Sequence, residues 1–153
     1  MNLSELISTE TVIPSLGSRD KVSVLAELVE PLCRRNPDLD REDLVRILIE
    51  RERLGSTGIG EGIAIPHGKV ESTDRLLVSF GRSREGIDFD SMDGRPAHLF
   101  FLLLAPETSA GSHLTALAKL SRLLKNPMVR EKLMEAEDQE AIHQLIVDHE
   151  EDV

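Results

Sequence analysis

Residues 51–70 read RERLGSTGIGEGIAIPHGKV, and the rest of the chain is best interpreted around this segment. It places four glycines within residues 55–62, continues as an apolar run, and ends on Pro66, His67 and Gly68. Glycines allow positive φ and the close approach of a ligand, whereas a proline fixes its own φ and favours an extended residue before it. The pattern predicts a short strand that leads to a rigidly held His67, with Gly68 leaving one flank of the imidazole uncovered. An imidazole with the ordinary pKa of about 6.5 is mostly neutral near neutral pH and can act as a nucleophile or phosphoryl acceptor.

The glycines also invite comparison with nucleotide-binding loops, and their spacing argues against one. A P-loop requires G-x-x-x-x-G-K-[ST], and no lysine follows these glycines at that spacing. A dinucleotide-binding loop requires G-x-G-x-x-G at the start of a helix, whereas Gly58, Gly60 and Gly62 run G-x-G-x-G into a β-branched apolar run. The spacing alone leaves open a glycine-rich connector before a buried strand, with His67 as an ordinary loop residue.

The segment LGSTGIGEGIAIPHGKV at 54–70 closely resembles the active-site signature of the IIA proteins of the bacterial phosphoenolpyruvate-dependent phosphotransferase system. The resemblance is to the fructose/mannitol class, most closely to its nitrogen-regulatory branch, and extends from residue 6 to about residue 150. It implies the fold of this class, an α/β protein with a single-domain mixed β-sheet flanked by helices. It also implies that His67 is phosphorylated by an HPr-like carrier protein and that no cofactor takes part.

Composition is that of one acidic globular domain, which we predict to span residues 1–153. Hydrophobic residues make up 40% of the chain, and tryptophan and tyrosine are absent, so the core must consist mainly of Leu, Ile, Val and Ala. The net charge of −10 argues against nucleic acid as a partner, since nucleic-acid binders present basic surfaces. It suits a basic protein partner, or simply solubility.

The sequence predicts a cytoplasmic protein without direct membrane insertion. The single cysteine, Cys33, excludes an internal disulfide and fits a reducing compartment. No apolar run approaches the roughly 18 residues of a membrane-spanning helix, and the N-terminus MNLSELISTE lacks the features of a signal peptide. Without a fused IIB or IIC segment, the chain is expected to be closer to the nitrogen-regulatory type than to a sugar transporter.

Helices and strands are predicted to alternate along the chain. Helical spacing of apolar residues and capping side chains predict helices that begin near Ser18, Asp40, His113, Asn126 and Asp138. Apolar runs predict strands at 11–16, 63–65, 75–81 and 96–105, the last of them central because it is the most apolar. This alternation predicts an α/β class with a mixed sheet covered by helices. Residues 148–153 are predicted to form a frayed, acidic tail.

Two further side chains stand out by their position on predicted helices. Arg51 lies at i+7 from Leu44 and i+3 from Leu48, on the predicted buried side of its helix. A charge there needs a partner or a ligand. His113 continues the apolar stripe of a later helix at its N-terminal end.

The family resemblance brings these residues together with His67. Its R-E-x-x-G-S-T-G and H-L-x-x-L-x-x-L patterns fall on Arg51 and His113, which it implies lie beside the phosphorylated histidine. The implied roles are a guanidinium that holds phosphoryl oxygens bidentately and an imidazole that donates to the same oxygens. Phosphoryl transfer depends mainly on positioning and charge, and no metal is expected. The residues alone leave open a salt bridge from Arg51 to a glutamate such as Glu61, and a helix-capping or partly buried role for His113.

The predicted function is that of a phosphotransferase-system IIA phosphocarrier, and three alternative functions stay open. Within the family, the alternative is a sugar-specific IIA protein that passes phosphate to a separate IIB component instead of acting on regulatory target proteins. Outside it, the rivals are a binding module that is never phosphorylated and a histidine-nucleophile hydrolase, for which no further acid or base is evident. His98, His143 and His149 are assigned no chemistry, and they lack the pairing of an H-E-x-x-H zinc site.

Overall fold

The computed structural model describes residues 2–108 and 110–150, in which one short strand and several helices precede five consecutive strands, and three helices follow them. The strands are β1 (Val12–Ile13), β2 (Gly58–Gly60), β3 (Ile63–Ala64), β4 (His67–Val70), β5 (Leu77–Ile87) and β6 (Ala97–Pro106). The α-helices are α1 (Leu3–Leu6), α2 (Lys21–Arg35), α3 (Arg41–Arg53), α4 (Ala110–Lys125), α5 (Pro127–Glu135) and α6 (Gln139–His149), and a 3₁₀ turn spans Thr9–Thr11.

The strands form one mixed sheet in the order β1-β5-β6-β3-β2, with β4 also paired to β6. Strand β6 runs antiparallel to β5 and parallel to both β3 and β4. The β3 strand pairs with the first half of β6 and β4 with its second half, so the two short strands follow one another along the same side of β6. The α/β class and the central position of the strand predicted at 96–105 are both confirmed.

Strand β6 separates two apolar cores, because successive residues of a strand point to opposite faces of the sheet. One set of its side chains enters the core that also contains residues of α4, α5 and α6: Leu99, Phe101 and Leu103. The alternate set enters the core shared with α2 and α3: Phe100, Leu102 and Leu104. A strand covered on both faces reads as a continuous apolar run, which explains why this stretch lacks polar alternation.

Three predicted helix starts are confirmed by their N-caps, whose side-chain oxygens accept a backbone N–H of the first turn: Asp40, Asn126 and Asp138. The prediction of Ser18 as a cap is wrong. Asp20 caps α2 by accepting the Ser23 N–H at 2.9 Å, and the Ser18 hydroxyl instead donates to Glu27 at 2.6 Å. The helix starts later because the loop before it is held by this glutamate. Helix α4 begins at Ala110, so His113 lies inside its first turn and does not open it.

The strand predicted at 75–81 continues to Ile87 because a charged side chain within it is satisfied by backbone oxygens. Arg82 is fully buried, and its Nε donates to the Pro14 carbonyl at 2.9 Å. Its Nη1 donates to the Leu133 carbonyl at 2.8 Å, at the C-terminal end of α5. Carbonyls at a helix C-terminus carry partial negative charge and stabilise a cation there. Strand β1 is shorter than predicted and keeps only its parallel pairing to β5.

The start of the predicted C-terminal tail belongs to a helix. Asp148 and His149 lie in α6, while residues 151–153 of the predicted tail fall outside the described part of the chain. Glu150 accepts backbone N–H groups of Leu3 and Ser4, which joins the two ends of the chain. Within the described ranges, no helix combines the length and apolar character needed to cross a membrane.

Candidate active site

His67 lies at the start of β4, not in the loop where the sequence pattern placed it. Ile65, two residues earlier, donates its N–H to the Thr57 carbonyl at 3.0 Å, and the Pro66 carbonyl accepts the Leu103 N–H at 3.0 Å. His67 itself is in register with Leu103 of β6. The imidazole is therefore carried by backbone that is hydrogen-bonded on both sides, and it lies in a strand instead of a loop.

Gly68 serves packing, and the predicted role of exposing one flank of the imidazole is wrong. Consecutive residues of β4 point to opposite faces, so Gly68 faces away from the side that carries His67. A Cβ at this position would lie 2.8 Å from Cγ2 of Ile47, on α3. The glycine allows α3 to pack closely against β4, and this contact fixes the position of the helix that carries Arg51.

The two ring nitrogens of His67 have different environments. Nδ1 lies 2.7 Å from the Ile65 carbonyl oxygen, which can only accept, so this nitrogen carries the proton in the neutral ring. The lone pair is then on Nε2. Burial lowers the pKa of His67 most strongly, the Ile65 carbonyl raises it, and the charge of Arg51 lowers it further. The pKa lies below the ordinary histidine value, so the ring is neutral and nucleophilic at neutral pH.

His113 is the second imidazole of the site. Its ring centroid lies 5.4 Å from that of His67, with the planes inclined by 58°. The residue is 8% exposed, and among the described residues its buried Nε2 has no hydrogen-bond partner. Burial lowers the pKa of His113, and the charges of His67, Lys69 and Arg51 lower it further. A buried polar atom without a partner is uncommon and calls for an explanation such as a ligand.

Arg51 occupies the last turn of α3 and is half-buried. Its Nη1 donates to the Gly55 carbonyl at 3.0 Å, and within the described residues it forms no ion pair. The alternative salt bridge to Glu61 is excluded, since that carboxylate pairs with Nη1 of Arg130 at 3.2 Å. The charge of Arg51 acts on both imidazoles, which places it within electrostatic reach of the pair.

Sequence reasoning missed two charged residues of this region. Glu52 is the buried residue in the last turn of α3, and its i+4 spacing from Leu48 was a signal that could have found it. Lys69 lies two residues after His67 in β4, so strand alternation places it on the same face of the sheet. A strand assignment for residues 67–70 would have predicted that Lys69 lies on the same face as His67.

The other histidines with described contacts belong to different elements. His98 donates through Nδ1 to the Ser83 carbonyl at 2.9 Å, and His143 Nε2 lies 3.4 Å from the Ile7 carbonyl. Within residues 2–108 and 110–150, no group of three or more His, Cys, Asp or Glu side chains could hold a metal ion.

The chain belongs to the family described as the EIIA 2 component of the phosphoenolpyruvate-dependent sugar phosphotransferase system, which matches residues 5–149. Members of this family take part in phosphoryl transfer, so the chain is a member of a phosphotransferase family. The recognition of this family from the segment at 54–70 is confirmed.

Relatives of the chain include both regulatory and sugar-specific proteins. It is 38% identical over 146 residues to the nitrogen regulatory protein of Bradyrhizobium diazoefficiens, covering 95% of each chain. It is 41% identical over 149 residues to the fructose-specific EIIABC component of Bacillus subtilis, covering 97% of this chain but 24% of that relative. The crystal structure of the nitrogen regulatory protein IIA-Ntr from Neisseria meningitidis is similar with a TM-score of 0.88 and 33% identity, over 94% of this chain and 98% of that one.

Proposed function

We propose that this chain is a phosphohistidine carrier that accepts a phosphoryl group on Nε2 of His67 from an HPr-like protein. The observation that carries the proposal is the hydrogen bond from Nδ1 to the Ile65 carbonyl, 2.7 Å long, which leaves Nε2 as the nucleophilic nitrogen. The neighbouring His113 supports it, because its unpartnered Nε2 supplies a group for a ligand in the same place.

The transfer step needs no movement of a proton. As the bond between phosphorus and the donor's histidine nitrogen breaks, the lone pair of His67 Nε2 forms the new bond to phosphorus, and the donor ring regains its lone pair. The proton stays on Nδ1 throughout, donated to the Ile65 carbonyl. Charge on the transferring oxygens is met by the guanidinium of Arg51 and by a donor N–H from His113. Such positioning and charge stabilisation account for most of the catalysis in phosphoryl transfer.

The favoured role is regulatory, in the manner named for the nitrogen regulatory relatives, with a cytoplasmic location. This role is supported by the 38% identity to the Bradyrhizobium nitrogen regulatory protein and by the TM-score of 0.88 to the Neisseria IIA-Ntr structure. The second candidate, a sugar-specific IIA protein that passes phosphate to a IIB component, is favoured by the 41% identity to the fructose-specific relative. Adding a fructose-type IIB domain to the phosphorylated chain distinguishes the two roles. Rapid loss of label to the IIB domain supports the sugar-specific role.

The acceptor assignment is tested by incubating the chain with Enzyme I, an HPr-like carrier and labelled phosphoenolpyruvate. We expect acid-labile labelling of the unaltered protein and none of His67→Ala. His98→Gln is the matched control, because His98 also has Nδ1 against a carbonyl, at 2.9 Å, but belongs to another part of the sheet. Full labelling of His67→Ala would disprove the assignment.

The supporting roles are tested in the same assay. Arg51→Ala should be labelled about 30- to 150-fold more slowly, equivalent to about 2–3 kcal/mol for a lost charge-assisted contact. Arg51→Lys keeps the charge without the planar fork and should recover part of the rate. Unchanged rates in both Arg51→Ala and His113→Ala would mean that these residues are structural.

A further inference from the structure

A buried carboxylate lies beside the site and takes no direct part in the transfer step. The side chain of Glu52, in the last turn of α3, is 5% exposed. A buried charge is costly unless it is paired and hydrogen-bonded. Nζ of Lys21 supplies the opposite charge at 3.0 Å, and it also lies 4.8 Å from the centroid of the Phe89 ring. Glu52 is therefore a fixed point between α2 and α3.

The hydrogen bonds of this carboxylate end on the glycine-rich loop. Glu52 accepts the Thr57 N–H at 3.1 Å and also its hydroxyl. The carbonyl of Thr57 accepts the Ile65 N–H at 3.0 Å, and the carbonyl of Ile65 accepts from Nδ1 of His67 at 2.7 Å. Three consecutive links thus run from the buried carboxylate to the imidazole.

The same loop holds the guanidinium. Gly55 donates its N–H to the backbone carbonyl of Glu52 at 3.1 Å, and its own carbonyl accepts from Nη1 of Arg51 at 3.0 Å. The loop is anchored a second time by the Ser56 hydroxyl, which donates to the Phe89 carbonyl at 2.6 Å. Gly55 thus lies between the end of α3 and the anchored Ser56, two residues before the Thr57 that Glu52 holds.

We propose that Glu52 is a positioning residue for phosphoryl transfer, which holds the imidazole of His67 and the guanidinium of Arg51 in register through Thr57. The inference rests on the proposed function of His67. Glu52 does not touch the phosphoryl group; its charge raises the pKa of His67, and its hydrogen bonds to Thr57 act on the imidazole through the loop. Because a misplacement of reacting groups by about 1 Å can cost about 100-fold in rate, such a holder affects the transfer step more than donor binding.

The test compares variants that loosen the link without removing a reacting group. Glu52→Gln removes the charge, and Thr57→Val removes the hydroxyl at nearly constant shape. Thr57→Ser restores the hydroxyl and is the conservative rescue. Glu50→Gln is the matched control, because Glu50 is exposed on the same helix and pairs with Arg46 at 3.1 Å.

We expect the maximal labelling rate at saturating donor to fall by about 10- to 100-fold in Glu52→Gln and Thr57→Val. The donor concentration for half-maximal rate should stay within about twofold, and Thr57→Ser and Glu50→Gln should behave like the unaltered protein. The proposal is overturned if the maximal rate of Thr57→Val stays within about twofold of that of the unaltered protein. It is also overturned if the variant changes only the donor concentration for half-maximal rate. Thr57→Val decides the matter if Glu52→Gln does not fold.

Nitrogen NMR of the His67 ring separates this proposal from the proposed function, because it needs no phosphorylation. Absence of labelling of the unaltered protein rejects the phosphocarrier role. The ring spectrum then decides on positioning by itself: the unaltered protein should show the tautomer protonated on Nδ1, and Thr57→Val should show a mixture of tautomers. In that case an unchanged tautomer in Thr57→Val rejects the positioning role.

Discussion

At the scale of single residues, the candidate site consists of two imidazoles that are held in different ways. Nδ1 of His67 is engaged by a backbone carbonyl, whereas Nε2 of His113 is buried without a partner among the described residues. One ring therefore offers a nucleophilic nitrogen and the other a group for binding. Burial is the largest cause that lowers the pKa of each ring, and the charge of Arg51 lowers both pKa values further.

The lowered pKa values of His67 and His113 predict how the two rings titrate. Both pKa values lie below the ordinary value of about 6.5, so both rings should stay neutral at pH values where an exposed histidine is half protonated. In Arg51→Met the midpoint of His67 should move upward, because a charge that lowers its pKa is gone. Proton NMR titration of the two rings measures this. A midpoint for either ring above about 6.5 in the unaltered protein would contradict it.

The same shifts have a consequence for stability. In the window between the lowered pKa values and about 6.5, the unfolded chain binds more protons than the folded one, so the free energy of unfolding falls as the pH falls. The loss should be complete only below the lowered values. The midpoint temperature of thermal unfolding should depend less on pH across this window in the variant that lacks both rings, His67→Ala/His113→Ala.

At the scale of elements, the site depends on how α3 and α5 are attached to the sheet. Gly68 allows α3 to approach β4, since a Cβ there would meet Ile47 at 2.8 Å. Helix α5 is fastened at its C-terminal end by the buried Arg82, which joins it to β5 and to the chain after β1. The contact at Gly68 positions α3, which carries Arg51. The hydrogen bonds of Arg82 stabilise the core on the other face of the sheet.

Arg82→Met should destabilise the protein by about 2–4 kcal/mol, because the Pro14 and Leu133 carbonyls lose a charged donor. Urea unfolding measures this change. Arg84→Met is the matched control: its guanidinium is exposed and lies 3.3 Å from the Ala136 carbonyl. We expect the control to change stability by less than about 0.5 kcal/mol. Equal effects of the two variants would show that burial of Arg82 contributes nothing specific.

At the scale of the whole molecule, the net charge of −10 and the apolar residues next to the site suggest how a carrier docks. Leu54 is 85% exposed and adjoins Gly55, the contact of Arg51, while Leu114 is 66% exposed and adjoins His113. Exposed apolar side chains supply short-range contact, whereas net charge acts over longer distances. We expect a small, transient interface in which the apolar contacts and the net charge act separately.

Salt should therefore slow association with a carrier that has a basic face and leave dissociation nearly unchanged. Raising the salt concentration from about 50 mM to about 500 mM shortens the Debye length from roughly 14 Å to roughly 4 Å. Stopped-flow association with an HPr-like carrier measures the effect. Leu114→Ser should instead raise the dissociation rate and keep the salt dependence. An association rate independent of salt would rule out this form of docking.

By itself, the sequence determined the family, the α/β class, the central strand and three of the helix caps. It also singled out His67 and His113, which the structure brings together, and Arg51, whose charge acts on both. These features are local or periodic: a capping side chain acts within one turn, an apolar run marks a strand covered on both faces, and a glycine-rich motif is contiguous.

Only the tertiary structure decided which nitrogen of His67 is free, that Gly68 makes room for α3, and that β5 continues through Arg82. It also decided that Glu52 is the buried carboxylate of α3, although both it and Arg51 continue apolar spacing along the helix. Each of these outcomes depends on a partner supplied by another element, such as a backbone carbonyl or a lysine on a neighbouring helix. Spacing along the chain does not encode such partners, because burial of a charge is stable only where folding delivers its counterpart.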